Sequence, residues 1–414
     1  MFKFLTIKAV NLGEWLNTEG WIFPSLFDGI VNKDLLDGTE VQLKSLKLGK
    51  YLLAELGVGS IIAANRSSPS GWETFKLWRI DETTFNFKVF NNKFVGTGNG
   101  VDTVAVATAP GSSETLTILR NPAGGKLVKI QAPNGFFLQV TITIQNFSPN
   151  AADYSSRESQ WEDSDPSVFC MTTVAVQMQG EYKVTNGYGP NATKVRNDHW
   201  ASYIVEDDFK FVASNGLNAV RIPIGWWIAS YPNPPKPYVG GFKWAEKYEL
   251  KVVIDLHAAP GSQNGYDIRS SRDGSPEWGQ TDASIRSTVD VIEFLASRYS
   301  KSRSLYGVEL LNEPLAPEVT FETLNKYYQA GYKVVRRHSS SAYVIMGNRL
   351  RLGPVRRLSS FLHIYYLIFL SIFLFIFSQL QNAFLFFIKF FFSSIFSYFP
   401  SYFSSYFLSF IFTI

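Results

Sequence analysis

Apolar and polar residues alternate one by one along the first long stretch of this chain, and a slower rhythm replaces that alternation further on. From about Val41 to Ile144 the alternation comes in short runs such as Phe75-Lys76-Leu77-Trp78-Arg79-Ile80 and Phe85-Asn86-Phe87-Lys88-Val89-Phe90, punctuated by Gly, Asn and Ser. Successive side chains of a strand face opposite ways, so a period of two without helical stretches predicts an all-β module. A trefoil and a sandwich both satisfy the pattern. Gly96-Thr97-Gly98-Asn99-Gly100 and Gly124-Gly125-Lys126 lie among these runs. No helix follows the first, and Leu127 stands where a phosphate loop needs Ser or Thr, so both read as hairpin turns.

A polar stretch from Asn150 to Asp165 reads as a linker, after which strands and helices alternate. Apolar runs predict strands over Gly216–Pro223, Lys251–His257, Leu305–Leu311 and Ala342–Met346. Helical spacing covers Trp200–Ser214, stopped by Asn215-Gly216, then Phe242–Glu249, Ser284–Tyr299 and Phe321–His338. That order predicts a parallel sheet with helices outside it. Three of the strands end on polar side chains: Arg221, His257, and Asn312 with Glu313. Pro314 cannot extend a sheet, so the chain turns out immediately after Glu313. A carboxylic acid and an amide at the C-terminal end of a parallel strand is the place where α/β barrels carry chemistry.

Charge and composition narrow the reading. The chain has 414 residues, with 39 basic against 35 acidic side chains, and shows no basic stripe to engage nucleic acid. Cys170 is the single cysteine, which excludes an intramolecular disulfide and a cysteine metal site; a core position is expected for it. The four histidines, His199, His257, His338 and His363, have no metal-ligand spacing, so neither metal nor cofactor is expected. Met1–Val10 is too short for a secretory leader. Asn65, Asn146 and Asn191 nevertheless occupy Asn-x-Ser/Thr triplets.

The segments Asn218-Ala219-Val220-Arg221-Ile222-Pro223, Ile254-Asp255-Leu256-His257-Ala258-Ala259-Pro260-Gly261-Ser262-Gln263-Asn264-Gly265 and Leu311-Asn312-Glu313-Pro314 resemble the signatures of glycoside hydrolase family 5, in particular its exo-1,3-β-glucanase branch. Asn11-Leu12-Gly13-Glu14-Trp15-Leu16, followed by Thr18-Glu19-Gly20-Trp21, resembles the first barrel strand of that branch. Plant members carry a fascin-like β-trefoil insert after that strand. The resemblance runs from about residue 8 to 353. It implies an α/β fold, the first five strands of a (β/α)8 barrel interrupted by the trefoil. The domains expected are 1–40 (first strand and loop), 41–150 (insert), 151–353 (barrel) and 354–414 (a separate hydrophobic tail).

The resemblance also implies retaining hydrolysis of β-1,3-glucan, outside the cell or in the cell wall. That chemistry needs two carboxyl groups about 5 Å apart, one protonated and one ionised. Glu313 is the expected acid and base, its proton retained by a cleft and a nearby anion. Asn312 is expected on the sugar 2-hydroxyl. Arg221 is expected to orient the nucleophile, and His257 to touch the sugar or that network. Glu19 and Trp21 are expected to line the non-reducing-end pocket. Trp226-Trp227 reads equally as a sugar-stacking wall or as core packing. Glu14 departs from the family, whose members have Gly there, and a charge at that turn is expected to disturb packing. No nucleophile can be assigned, because no glutamate follows Glu322.

The tail differs again, with 17 phenylalanines among the 54 residues from Phe361 to Ile414. Phe361–Phe377 following Arg356-Arg357 reads as a membrane anchor, although 17 residues of helix span only about 25 Å of a roughly 30 Å layer. Translated T-rich non-coding sequence yields the same composition and is the reading preferred here. A truncated, impaired glucanase is therefore expected. The alternatives are a non-catalytic carbohydrate-binding protein and a membrane-tethered one.

Overall fold

The computed structural model describes residues 6–54, 61–97, 103–140, 152–175, 180–230, 236–266 and 270–350. The hydrophobic tail and Asn146 lie outside them. Strand β1 (Ala9–Asn11) comes first. The all-β module follows: β2 (Glu40–Ser45), β3 (Tyr51–Ala54), β4 (Ile62–Arg66), β5 (Thr74–Arg79), β6 (Thr84–Lys88), β7 (Phe94–Thr97), β8 (Thr103–Ala107), β9 (Leu116–Arg120), β10 (Leu127–Gln131), β11 (Phe137–Val140), β12 (Ala152–Ser156) and β13 (Phe169–Ala175).

Pairing in this module closes on itself. β2, β5, β6, β9, β10 and β13 form an antiparallel ring, each bonded to the next and β13 back to β2. Closure removes the open strand edges that invite aggregation. The hairpins β3–β4, β7–β8 and β11–β12 hang on β2, β6 and β10. The alternation in the sequence fills the interior: Val41, Leu43, Phe75, Leu77, Phe85, Phe87, Ile118 and Ile130 are all buried. The stretch read as a linker contains β12, which pairs with β11 in place of crossing solvent. Its polar residues bond locally, with Asp165 accepting from Ser159, Gln160 and Ser167. Cys170 sits half-buried on β13, not in the core as expected, because its strand position faces away from the ring interior. β2 and β13 lie side by side, so the chain enters and leaves the module at one place.

The α/β part continues with α1 (Glu181–Tyr188), α2 (Ala192–Ser202), α3 (Glu206–Ser214), β14 (Ala219–Gly225), α4 (Lys236–Lys247), β15 (Lys251–Ala258), α5 (Asp282–Tyr299), β16 (Leu305–Glu309), α6 (Phe321–His338) and β17 (Tyr343–Ile345). Its sheet is parallel throughout, in the order β1-β14-β15-β16-β17. Buried side chains such as Val220, Ile222, Val252, Ile254 and Val308 form a core continuous with α3 to α6. The one long helix expected over 200–214 is two. Its break falls before Glu206-Asp207-Asp208, where the Asp208 carboxylate accepts the Val205 amide and caps α3 (2.8 Å). Helix α4 starts six residues earlier than periodicity indicated, with Pro237 in its first turn, where proline loses no hydrogen bond. Thr281 and Thr320 cap α5 and α6, each hydroxyl accepting an amide three residues on.

Candidate active site

The C-terminal ends of β14, β15 and β16 converge on one guanidinium. Arg221 is the third residue of β14, mid-strand instead of near the end, but its side chain is long enough to reach the rim. Its Nε donates to Glu309 Oε2 (2.9 Å), and its terminal nitrogens reach Asp255 Oδ2 (2.8 Å), Asn312 Oδ1 (2.9 Å) and Asn11 Oδ1 (2.8 Å). His257, two residues beyond Asp255 and so on the same side of β15, donates from Nδ1 to Asp255 Oδ2 (2.6 Å). Asp255 is fully buried and Glu309 nearly so. Burial first, and then the neighbouring Asp255 carboxylate, push the Glu309 carboxyl above its ordinary range, while Arg221 opposes the shift.

Asn312 is oriented by this network. Because a guanidinium only donates, the contact with Arg221 fixes Oδ1 toward it and turns Nδ2 away. That buried Nδ2 meets no hydrogen-bond acceptor among the described residues. Glu313, half-buried, takes a left-handed backbone (φ 46°), the bend that carries the chain out of the sheet before Pro314. The loop after β15 holds the bend: Gln263 Nε2 donates to the Asn312 carbonyl (2.7 Å) and Asn264 Nδ2 to that of Glu313 (3.0 Å).

The first-strand loop lies beyond β1, itself paired to β14. Glu19 is buried, its carboxylate against Gly13, and Trp21 is exposed. Glu14 stands at the turn where a charge was expected to disturb packing. It is fully buried at φ 63°, and burial raises its carboxyl to about 8, with the Glu19 amide and Arg196 pulling the other way. A carboxyl raised that far is largely protonated near neutrality; its Oε2 accepts the Glu19 amide, and its Oε1 has no hydrogen-bond partner among the described residues. His199 donates from Nε2 to the Glu14 carbonyl (2.8 Å), and burial lowers its imidazolium to about 4. Of the tryptophan pair, Trp226 is exposed and Trp227 packs against the α/β core; their rings meet edge to face at 6.3 Å.

The structure thus brings Arg221, His257 and Asn312 together. It adds Asp255, Glu309, Asn11, Gln263 and Asn264, none of which was singled out for a role in the sequence. The signal for Asp255 and Glu309 was an acid inside an otherwise apolar strand, which a core tolerates only when the charge is paired.

Residues 182–350 match Cellulase (glycosyl hydrolase family 5). They form a family 5 domain. Residues 32–174 match a Domain of unknown function (DUF7910). Glucan 1,3-beta-glucosidase of Pichia angusta is 38% identical over 192 residues, 44% of this chain and 43% of that protein. Glucan 1,3-beta-glucosidase 2 of Wickerhamomyces anomalus is 42% identical over 178 residues, 40% of this chain and 41% of that protein. The chain therefore spans about two fifths of the length of the curated relatives it matches. Among solved structures, rutinosidase from Aspergillus niger is 20% identical at a TM-score of 0.35, covering 40% of this chain and 53% of that one. No helix among the described residues is long and apolar enough to cross a membrane.

Proposed function

We propose that the family 5 domain engages β-1,3-glucan as a retaining, exo-acting glycosidase does, with Glu313 as acid and base. In this reading the five parallel strands are the first part of a (β/α)8 barrel and the inserted ring with three hairpins is a β-trefoil. The observation that carries the reading is the amide of Asn312: a buried donor, locked in orientation by Arg221, with no acceptor among the described residues. Burying such a donor is costly unless a ligand oxygen completes it, and a sugar hydroxyl beside Glu313 is an acceptor of that kind. Trp21 and Glu19, on the loop after β1, and Trp226, just after β14, are proposed sugar contacts; His257 is the proposed partner of the reacting ring. Arg221 serves by holding Asn312, with Asp255 and Glu309 balancing its charge.

The second carboxyl remains unassigned. Asp255 and Glu309 both face Arg221, which they balance in charge. Location outside the cell is part of the same proposal. The sequon Asn191 is exposed at the start of α2 and open to a glycan, whereas Asn65 is half-buried on β4.

Two measurements test this. Calorimetric titration with laminaritriose should show binding that N312A weakens about tenfold, the worth of one hydrogen bond. Glucose release from laminarin, whatever its pace, should fall at least ~100-fold in E313Q. Absence of binding to the unaltered chain, or release indifferent to E313Q, would overturn the assignment.

A further inference from the structure

We propose that the all-β module acts as a clamp on the loop between β15 and α5, and through that loop positions the Asn312-Glu313 bend. The contacts form an unbroken chain. Asp273, at the far end of this loop, inserts into the face of the module, where its Oδ2 accepts from Trp78 Nε1 and Lys88 Nζ, both at 2.8 Å. Burial alone would raise the Asp273 carboxyl, but hydrogen bonds from Lys88, Ser275 and Trp78 bring it down to about 2. Beside it Arg272 stacks over Trp78 (4.1 Å) and donates from Nε to the buried Asp37 (2.8 Å). The backbone of Gly38 approaches so closely that a Cβ there would stand 3.2 Å from the Arg272 carbonyl oxygen.

From this seam the loop folds back on itself. Gly265 abuts Gly274, where an added Cβ would sit 2.3 Å from the Gly274 oxygen, so the two arms of the loop move together. The near arm carries Gln263 and Asn264, whose amides hold the Asn312 and Glu313 carbonyls. It also accepts the Leu315 amide on the Gln263 carbonyl (3.0 Å). Trp278 anchors the base of the loop in the α/β core, and the Glu277 and Trp278 amides bond the Gly261 and Ser262 carbonyls, whereas the outer turn at Arg272 and Asp273 is fixed by the seam. Asp273 is accordingly a positioning residue that acts through Gln263 and Asn264. The matched domain of unknown function thereby has a mechanical task in this chain, distinct from binding sugar itself.

Amide hydrogen exchange on the whole 414-residue chain tests the clamp, with D273A as the stronger variant and W78F, which removes one donor, as the milder one. The expected result is exchange at least ~10-fold faster in peptides covering 259–266 and 311–316, with β9, β10 and α6 at unaltered rates, and a smaller change in the same peptides for W78F. Unaltered loop exchange in both variants would overturn the proposal. So would acceleration spread equally over β9, β10 and α6 in both, because the seam would then hold the fold as a whole. The consequence for Glu313 rests on the proposed function, but the exchange measurement needs no sugar. Accelerated loops in a chain that binds no laminaritriose would leave the clamp standing and remove the glycosidase reading; the reverse pattern would remove the clamp alone.

Discussion

Acids are buried beyond β1 and again where β15 meets β16, and their partners differ. Beyond β1, Glu14 faces a backbone amide and a histidine that burial keeps neutral, and its carboxyl rises to about 8. At β15 and β16, Asp255 and Glu309 share one guanidinium, and the imidazole of His257 leans on the first of them. The comparison teaches that burial alone does not decide charge. What differs is the partner: Arg221 bonds both acids directly and opposes the upward push of burial, whereas Glu14 bonds a backbone amide and feels Arg196 only through its field. The acids around Arg221 are therefore held by a directly bonded cation, while Glu14 is held by a backbone amide.

The largest effect should come from removing the cation. R221M strands Asp255 and Glu309 together, and urea denaturation at pH 7 should show a loss of about 3–5 kcal/mol. A loss below ~1 kcal/mol would mean that both acids are already protonated, and the contrast with Glu14 would vanish. E14Q should act the other way and only at high pH. A carboxyl raised from 4.5 to about 8 in the fold contributes its full stability below pH 4.5 and loses it as pH climbs toward 8. The variant should match the unaltered chain at pH 4.5 and exceed it by roughly 2–4 kcal/mol at pH 8, in paired denaturation curves. Equal stability at both values would place a charged Glu14 at the turn. The smallest effects, about 1 kcal/mol each, are expected for T281A and T320A, which remove helix caps where no charge is buried. They set the scale against which the two buried-acid sites are measured.

Much of this architecture was legible in the sequence because it is written in period. The alternation of Phe75, Leu77, Phe85 and Phe87 marks the interior of the ring, and the boundaries of α6 follow its amphipathic spacing to the residue. The parallel order of strands followed from their alternation with helices. Ring closure did not, because β9 bonding both β6 and β10 is a long-range pairing that no local pattern encodes. β12 was missed for a related reason, since its polar residues read as a linker until β11 is beside them. At the rim, Arg221, His257 and Asn312 were visible as polar strand ends. Gln263 and Asn264 stood inside the family signature, but their hold on the Asn312-Glu313 turn was not legible, because amides in a glycine-rich loop look alike whether they face solvent or hold a neighbouring turn. The Asp273 seam was hidden altogether: 185 positions separate it from Lys88.

The backbone at Glu313 sits in a region of torsion space that side chains branched at Cβ enter only under strain, whereas asparagine and glycine tolerate it. Replacements chosen to silence the carboxyl are consequently of two kinds. Glutamine or asparagine deletes the acid and leaves the bend; valine or isoleucine pulls Asn312 out of register with Arg221 as well. An inactive variant of the second kind would report a moved amide as though it were a missing proton.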